Sequence, residues 1–207
     1  MSKELIFYTN PMSRGRIVRW MLEETGAAYS TEIIEYETSM KQEPYLSINP
    51  MGKVPSIKHR DCVVTECAAI CAYLADAFPD AKLAPSIENR AEYYRWLFFA
   101  AGPVEQAIVN KSLGFTPTAD QGRMAGYGSF ERTVRVMELA VSGQEYIAGD
   151  SFSAADVCLG AQIGWGLQFG TLPESDVFSA YMERLFARPA YKKATEIDDG
   201  LTSPQPG

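Results

Sequence analysis

The chain has 207 residues, of which 46% are hydrophobic and 22% charged, and this composition argues against a disordered or fibrous protein. Nineteen basic residues oppose 26 acidic ones, for a net charge of −7, so the chain offers no overall basic field for nucleic acid. The single histidine, His59, excludes a metal site that needs several histidines.

The cysteine spacing and the length of the apolar segments indicate the cellular compartment of the protein. The four cysteines, Cys62, Cys67, Cys71 and Cys158, form no CxxC pair and have no spacing typical of a zinc site or a disulfide framework. Residues 1–20 contain no apolar segment of signal-peptide length, and no apolar run approaches the roughly 20 residues of a membrane span. We therefore predict a cytoplasmic protein with reduced thiols and neither metal nor membrane as a partner.

The first 80 residues alternate short strand and helix patterns. Residues 4–8 are an apolar run typical of a buried strand, and the spacing of apolar residues over 13–25 predicts a helix that stops at Gly26. The further predicted elements are a strand at 29–35, a short helix at 41–47, a hairpin formed by 54–58 and 62–64, and a helix at 66–78. This order predicts a small α/β domain over residues 1–80.

The chain changes character after a predicted linker at 81–87. Its second part, residues 88–207, is predicted to be an all-helical domain without strands. Helical patterns occupy 89–101, 124–141, 153–167 and 176–187. A glycine-rich loop is expected at 114–128 and a frayed polar tail at 202–207.

The sharpest local signal is the segment Asn49-Pro-Met-Gly-Lys-Val-Pro55, directly before a predicted strand. Pro55 lacks an N–H group, so it belongs at a sheet edge or in a special turn. A cis Val54–Pro55 bond would turn the backbone N–H and C=O of Val54 outward, where they would pair with an extended peptide. A plain tight turn is the alternative, and this segment alone leaves both open.

A second signal is Thr65-Glu66-Cys67, which opens the helix predicted at 66–78. A small polar residue here is an ordinary N-terminal cap. The functional alternative is that the first amides of the helix, with a hydroxyl or thiol, bind a carboxylate, while Glu66 binds an ammonium group. Such a site would receive both charged groups of an α-amino acid.

Four segments, in their order and spacing, carry a family resemblance. They are Tyr8-Thr-Asn-Pro-Met-Ser13-Arg-Gly-Arg, the 49–55 segment, Glu66-Cys-Ala-Ala-Ile70 with Tyr73-Leu74, and Ser153-Ala-Ala-Asp156. Over nearly its whole length the chain resembles the glutathione transferase family, in a bacterial pattern with a serine-type N-terminal motif. The resemblance implies a thioredoxin-like domain followed by an all-helical domain, an α/β plus all-α fold class, and a homodimer. It also implies that the Ser153–Asp156 motif is structural.

The same resemblance implies a glutathione site. Val54 matches the position whose backbone pairs with the cysteinyl part of glutathione, and Pro55 matches the family's cis-proline. Glu66 matches the acidic residue that holds the γ-glutamyl ammonium. Cys67 stands where the family usually has serine, and because a thiol is a weaker donor than a hydroxyl, we expect somewhat weaker binding.

Lysines are also expected at this site. Lys41 and Lys53 match positions that often face the glycyl carboxylate of glutathione, although solvated surface lysines are an equally good interpretation. The basic residues expected around the site are Arg14, Arg16, Arg19, Lys41, Lys53 and Lys58. In an acidic chain this cluster favours an anionic ligand, with a chance grouping on a solvated face as the alternative.

The group that activates the glutathione thiol is predicted from the first strand and helix. A thiol with a pKa of about 8.5–9 must become a thiolate at neutral pH, and a hydroxyl donor beside a helix N-terminus can achieve this. Ser13 opens the first helix, as in the serine-type classes, and Tyr8 ends the first strand, as in the tyrosine-type classes. We favour Ser13, because its Pro-x-Ser-Arg context is the closer match, and keep Tyr8 as the alternative.

The resemblance implies conjugation of glutathione, as co-substrate, to a small hydrophobic electrophile, in detoxification and without a metal. Glutathione-dependent peroxide or disulfide reduction on the same fold is one alternative, and a non-catalytic binding protein is another. The electrophile would bind between the domains. Aromatic residues at helical spacing more often belong to the hydrophobic core. Those considered as candidates for the lining of that pocket are Tyr94, Phe98, Phe99, Tyr127 and Trp165.

Overall fold

A computed structural model of the chain describes residues 4–202, which divide into two compact units. One unit contains the described residues up to Leu83 together with residues 188–202, and the other is Ala84–Ala187. Of the polar tail predicted at 202–207, all but the first residue lies outside the described residues.

The first unit is built on a four-stranded mixed sheet in the order β2-β1-β3-β4. The strands are β1 (Leu5–Thr9), β2 (Ser30–Ile33), β3 (Ser56–His59) and β4 (Cys62–Thr65). β1 runs parallel to β2 and antiparallel to β3, and Tyr8 lies opposite Ser56 in the register. The parallel pair needs a crossover, which the first helix supplies.

Helix α1 (Gly15–Thr25) and helix α2 (Cys67–Ala77) lie in this unit, close to the predicted spans. α1 ends at Gly26, which has the left-handed φ of 67° that favours glycine. At its other end, a Cβ at Gly15 would collide with the Thr9 hydroxyl of β1. Glycine at position 15 therefore permits the close approach of α1 to the strand.

The short helix predicted at 41–47 is two separate 3-10 turns in the structure. These are Ser39–Lys41 and Tyr45–Ser47, with a cis Glu43–Pro44 bond between them. Proline lacks the N–H that a continuous helix would need. Each turn buries one large side chain, Met40 or Tyr45, in a small cluster with Ile34.

The C-terminal helix α8 (Pro189–Leu201), which the sequence patterns did not predict as an individual helix, packs on α1 within the first unit. Its Asp198 accepts a 2.7 Å hydrogen bond from the Arg19 guanidinium, and both side chains are almost completely buried. The domain boundaries predicted at 80 and 88 group all of residues 88–207 together. The structure instead groups α8 with the sheet, because charged pairs join it to α1.

The second unit consists mainly of helices. They are α3 (Ala91–Phe99), α4 (Glu105–Ser112), α5 (Phe130–Val141), α6 (Ala154–Gln168) and α7 (Asp176–Phe186). A π-helical turn at Ala100–Val104 joins α3 to α4. These helices and the mixed sheet confirm the predicted α/β plus all-α class. Among residues 4–202, no helix is long and apolar enough to cross a membrane.

The buried carboxylate of Asp156 anchors the start of α6, as the structural interpretation of its motif predicted. It accepts hydrogen bonds from the Ser153 backbone N–H and hydroxyl, both at 2.9 Å, and the bond from the backbone N–H is one half of a capping box. It also accepts from the Ile147 N–H and the Tyr181 hydroxyl, both at 2.8 Å. Burial raises the pKa of Asp156, while these four donors favour its ionised form.

Asp156→Asn should destabilise the protein, because an amide nitrogen would then face a donor where a carboxylate oxygen now accepts. We expect the free energy of unfolding in urea to fall by about 2–3 kcal/mol. Asp150→Asn, at an exposed position, is the matched control and should cost less than about 0.5 kcal/mol. Equal effects of the two substitutions would show that the buried network contributes nothing specific.

Candidate functional site

The predicted site residues all lie in the unit that contains the sheet. They are Tyr8, Ser13, Lys41, Lys53, Val54, Pro55, Glu66 and Cys67. The N-termini of α1 and α2 adjoin there, because the Cys67 thiol donates a weak 3.8 Å hydrogen bond to the Arg14 carbonyl. Helix N-termini carry partial positive charge, so this place favours an anionic group.

The backbone of Val54 is open to a ligand. The Val54–Pro55 bond is cis. Within the described part of the chain, neither the N–H nor the C=O of Val54 has a hydrogen-bond partner. Its side chain is half-buried and packs against the cluster that contains Tyr45. Since backbone polar groups need partners, Val54 has one donor and one acceptor with which an extended peptide could pair.

The turn before Val54 is held from inside the protein. The Lys53 carbonyl accepts hydrogen bonds from the Tyr45 hydroxyl at 2.5 Å and from the Asn49 side-chain amide at 2.8 Å. Asn49 also accepts a 3.1 Å hydrogen bond from the Met51 N–H through its side-chain oxygen. Sequence reasoning did not identify Tyr45, although an aromatic residue four positions before Asn49 was the available signal.

The two predicted lysines differ in their surroundings. The Lys41 ammonium donates a 2.5 Å hydrogen bond to the Gly52 carbonyl, so it lies beside the turn that ends at Val54. An ammonium has three hydrogens, and this bond uses one of them. The Lys53 side chain is exposed. Both lysines flank the segment whose backbone is open.

Ser13, the favoured catalytic candidate, forms hydrogen bonds at the start of α1. Its hydroxyl donates to the Asn10 carbonyl at 2.6 Å and accepts from the Gly15 N–H at 2.9 Å. Asn10 is itself fixed, because its side-chain amide donates to the Ile34 carbonyl at 3.1 Å. The one hydroxyl hydrogen of Ser13 is therefore already used in this structure.

Tyr8, the alternative candidate, lies on the half-buried face of β1. Its ring centroid is 5.9 Å from that of Tyr45. Burial and, to a smaller extent, the Glu32 carboxylate raise the pKa of the Tyr8 phenol. The phenol therefore keeps its proton near neutral pH, and no partner among residues 4–202 takes that proton in a hydrogen bond.

Glu66 has an unusual backbone at the start of α2. Its φ of 67° lies in the left-handed region, and its carbonyl accepts the Ile70 N–H at 2.9 Å. For a residue other than glycine this conformation costs about 1–3 kcal/mol and concentrates at functional positions. Arg60 and Lys82 also have a positive φ, so this backbone conformation alone does not mark Glu66 as a site residue. It supports that assignment only in combination with the exposed carboxylate of Glu66.

A family model matches most of the sheet-containing unit. Residues 3–76 match the model described as "Glutathione S-transferase, N-terminal domain". The sheet unit is thus the predicted thioredoxin-like domain, followed by a mostly helical part. This match supports the resemblance to the glutathione transferase family over the N-terminal domain, whereas the serine-type character of the motif stays a prediction.

Individual relatives are distant but cover most of the chain. Glutathione S-transferase GstA of Escherichia coli O157:H7 is 27% identical over 168 residues, which is 77% of each chain. A stringent starvation protein A homolog from Histophilus somni is 26% identical and covers 84% of this chain and 81% of its own. A crystal structure of a glutathione transferase from Methylococcus capsulatus is 26% identical, covers 95% and 99% of the two chains, and has a TM-score of 0.78.

Gly52→Ala should destabilise the protein by more than the cost of placing alanine at a positive φ, because the added Cβ would also meet neighbouring atoms. A Cβ at this position would lie 2.8 Å from the Met40 carbonyl oxygen and 3.1 Å from the Lys41 ammonium. Gly26→Ala is the matched control, since Gly26 has a similar positive φ and open space around it. In urea unfolding, we expect Gly52→Ala to cost at least about 1 kcal/mol more than Gly26→Ala. Equal costs would contradict a tightly packed turn.

Proposed function

We propose that this protein is a glutathione transferase that joins the glutathione sulfur to an electrophilic carbon of a small hydrophobic compound. The match of residues 3–76 to the N-terminal domain model supports the proposal, as do relatives that are themselves named glutathione transferases. The observation that carries it is the open backbone of Val54, next to adjoining N-termini of two helices. A cytoplasmic homodimer that detoxifies such compounds completes the proposal.

Glutathione, an extended tripeptide with charged ends, matches the candidate groups in order. The Val54 backbone would pair with its cysteinyl part, in the manner of a strand. The Glu66 carboxylate would hold the γ-glutamyl ammonium, and the start of α2 at Cys67 would receive the neighbouring carboxylate. Lys41 and Lys53 would face the glycyl carboxylate.

Activation of the thiol must lower its pKa by one to two units, which corresponds to about 1.4–2.7 kcal/mol. The N-terminus of α1 contributes partial positive charge, and a hydroxyl donor to sulfur contributes the rest. Ser13 would exchange its hydrogen bond to the Asn10 carbonyl for one to the thiolate. The protonated Tyr8 phenol is the alternative donor.

In the chemical step the thiolate sulfur attacks the electrophilic carbon and forms a carbon–sulfur bond. In a substitution, the leaving group departs with its bonding electrons, and in an addition, the adjacent carbanion takes a proton from solvent. The protein groups orient the tripeptide and lower the pKa of its thiol, whose proton is released to solvent before the attack. None of these steps requires a redox change.

The proposal is tested by comparing glutathione-dependent turnover of a chlorodinitrobenzene with turnover of an organic hydroperoxide. We expect steady conjugation of the chlorodinitrobenzene. Turnover of the hydroperoxide alone would instead support glutathione-dependent reduction. Glutathione binding without turnover of either compound would support a non-catalytic binding protein, for which the cysteine at position 67 is the motivating departure from the family.

Ser13→Ala should lower kcat/KM for conjugation by about tenfold or more, because the thiolate loses a positioned donor. Ser112→Ala is the matched control, since the Ser112 hydroxyl also donates to a backbone carbonyl, that of Ile108, but lies outside the site. Tyr8→Phe should have the smaller effect. Wild-type activity in Ser13→Ala together with a collapse in Tyr8→Phe would assign the donor to Tyr8.

A further inference from the structure

We propose that Tyr45 is a positioning residue whose buried hydroxyl sets the orientation of the peptide plane between Lys53 and Val54 and thereby aims the Val54 N–H at the ligand. The identity of that ligand as glutathione rests on the proposed function. The orientation itself is a property of this chain's own residues.

Tyr45 is well placed for this role because hydrogen bonds fix both its backbone and its phenol hydroxyl. The side chain is only 2% exposed, and its backbone carbonyl accepts hydrogen bonds from the N–H groups of Ile48 and Asn49 at 2.9 Å. Its phenol hydrogen goes to the Lys53 carbonyl at 2.5 Å, and the phenol oxygen lies 2.9 Å from the Ser56 hydroxyl. The hydroxyl therefore cannot move without breaking contacts on both sides of Val54.

The planarity of the peptide bond transmits this constraint to Val54. The Lys53–Val54 bond is not among the cis bonds of the chain, so the Lys53 carbonyl and the Val54 N–H point in opposite directions within one plane. Tyr45 and Asn49 hold the carbonyl towards the inside of the turn. The Val54 N–H consequently faces away from them, which agrees with its lack of a partner among the described residues.

A hydroxyl is required because a phenylalanine would fill the same space without holding the carbonyl. The ring of Tyr45 packs against Tyr8, and this contact does not depend on the oxygen. Burial raises the pKa of Tyr45, so its hydroxyl stays protonated and donates throughout the neutral range. In Tyr45→Phe, Asn49 alone would hold the Lys53 carbonyl, and the peptide plane would gain freedom to rotate.

Tyr45→Phe should raise KM for glutathione about fivefold or more, with kcat at saturating glutathione within about twofold of wild type. The pH profile of kcat should not change, because the group that activates sulfur is untouched. Tyr29→Phe is the matched control: its phenol also donates a 2.5 Å hydrogen bond, but to Glu23 of α1 and not to the turn. It should lower Tm without changing KM. An unchanged KM in Tyr45→Phe would overturn the proposal.

A measurement without glutathione separates this proposal from the proposed function. In ligand-free protein, the NMR amide signal of Val54 should shift and broaden in Tyr45→Phe and stay in place in Tyr29→Phe. An unperturbed Val54 signal in Tyr45→Phe would overturn the positioning role, whatever the ligand is. If wild-type protein fails to bind glutathione while the Val54 signal responds, the proposed function has failed and the positioning role stands.

Discussion

The candidate site depends on how the Lys53 carbonyl is held. The Lys53 carbonyl accepts hydrogen bonds from the Tyr45 hydroxyl and the Asn49 side-chain amide. The N–H and C=O of Val54 have no partner among the described residues. The register that sets Tyr8 opposite Ser56 places this turn beside the end of β1, where the chain goes on to Ser13. The end of a central strand, a turn and a helix start thus converge, and hydrogen bonds in the turn and at the helix start hold them in place.

A second constraint places the N-terminus of α1. Gly15 permits the close approach of α1 to β1, and the buried ion pair between Arg19 and Asp198 fastens the other face of the helix to α8. Removing one partner of such a pair would leave a buried charge without compensation, so α8 is tied to the sheet unit. The N-terminus of α1 at Ser13 therefore has a fixed position, which the proposed activation of the thiol requires.

Periodicity in the sequence predicted the elements that have an apolar stripe. The helices predicted at 13–25 and 66–78 begin and end within two residues of Gly15–Thr25 and Cys67–Ala77. Helix α8 was missed because its attachment to α1 relies on charged residues such as Asp198, which a hydrophobic pattern does not reveal. The motifs supplied the candidate site residues, whereas Tyr45 emerged only from tertiary hydrogen bonds.

The most direct test of the account is calorimetric titration of the purified protein with glutathione up to millimolar concentration. We expect saturable binding by the wild type and binding about tenfold weaker in Glu66→Gln, which keeps the shape of the side chain and removes its charge. Glu196→Gln, at an exposed carboxylate in α8, is the control and should bind like the wild type. Absence of detectable wild-type binding would contradict the account.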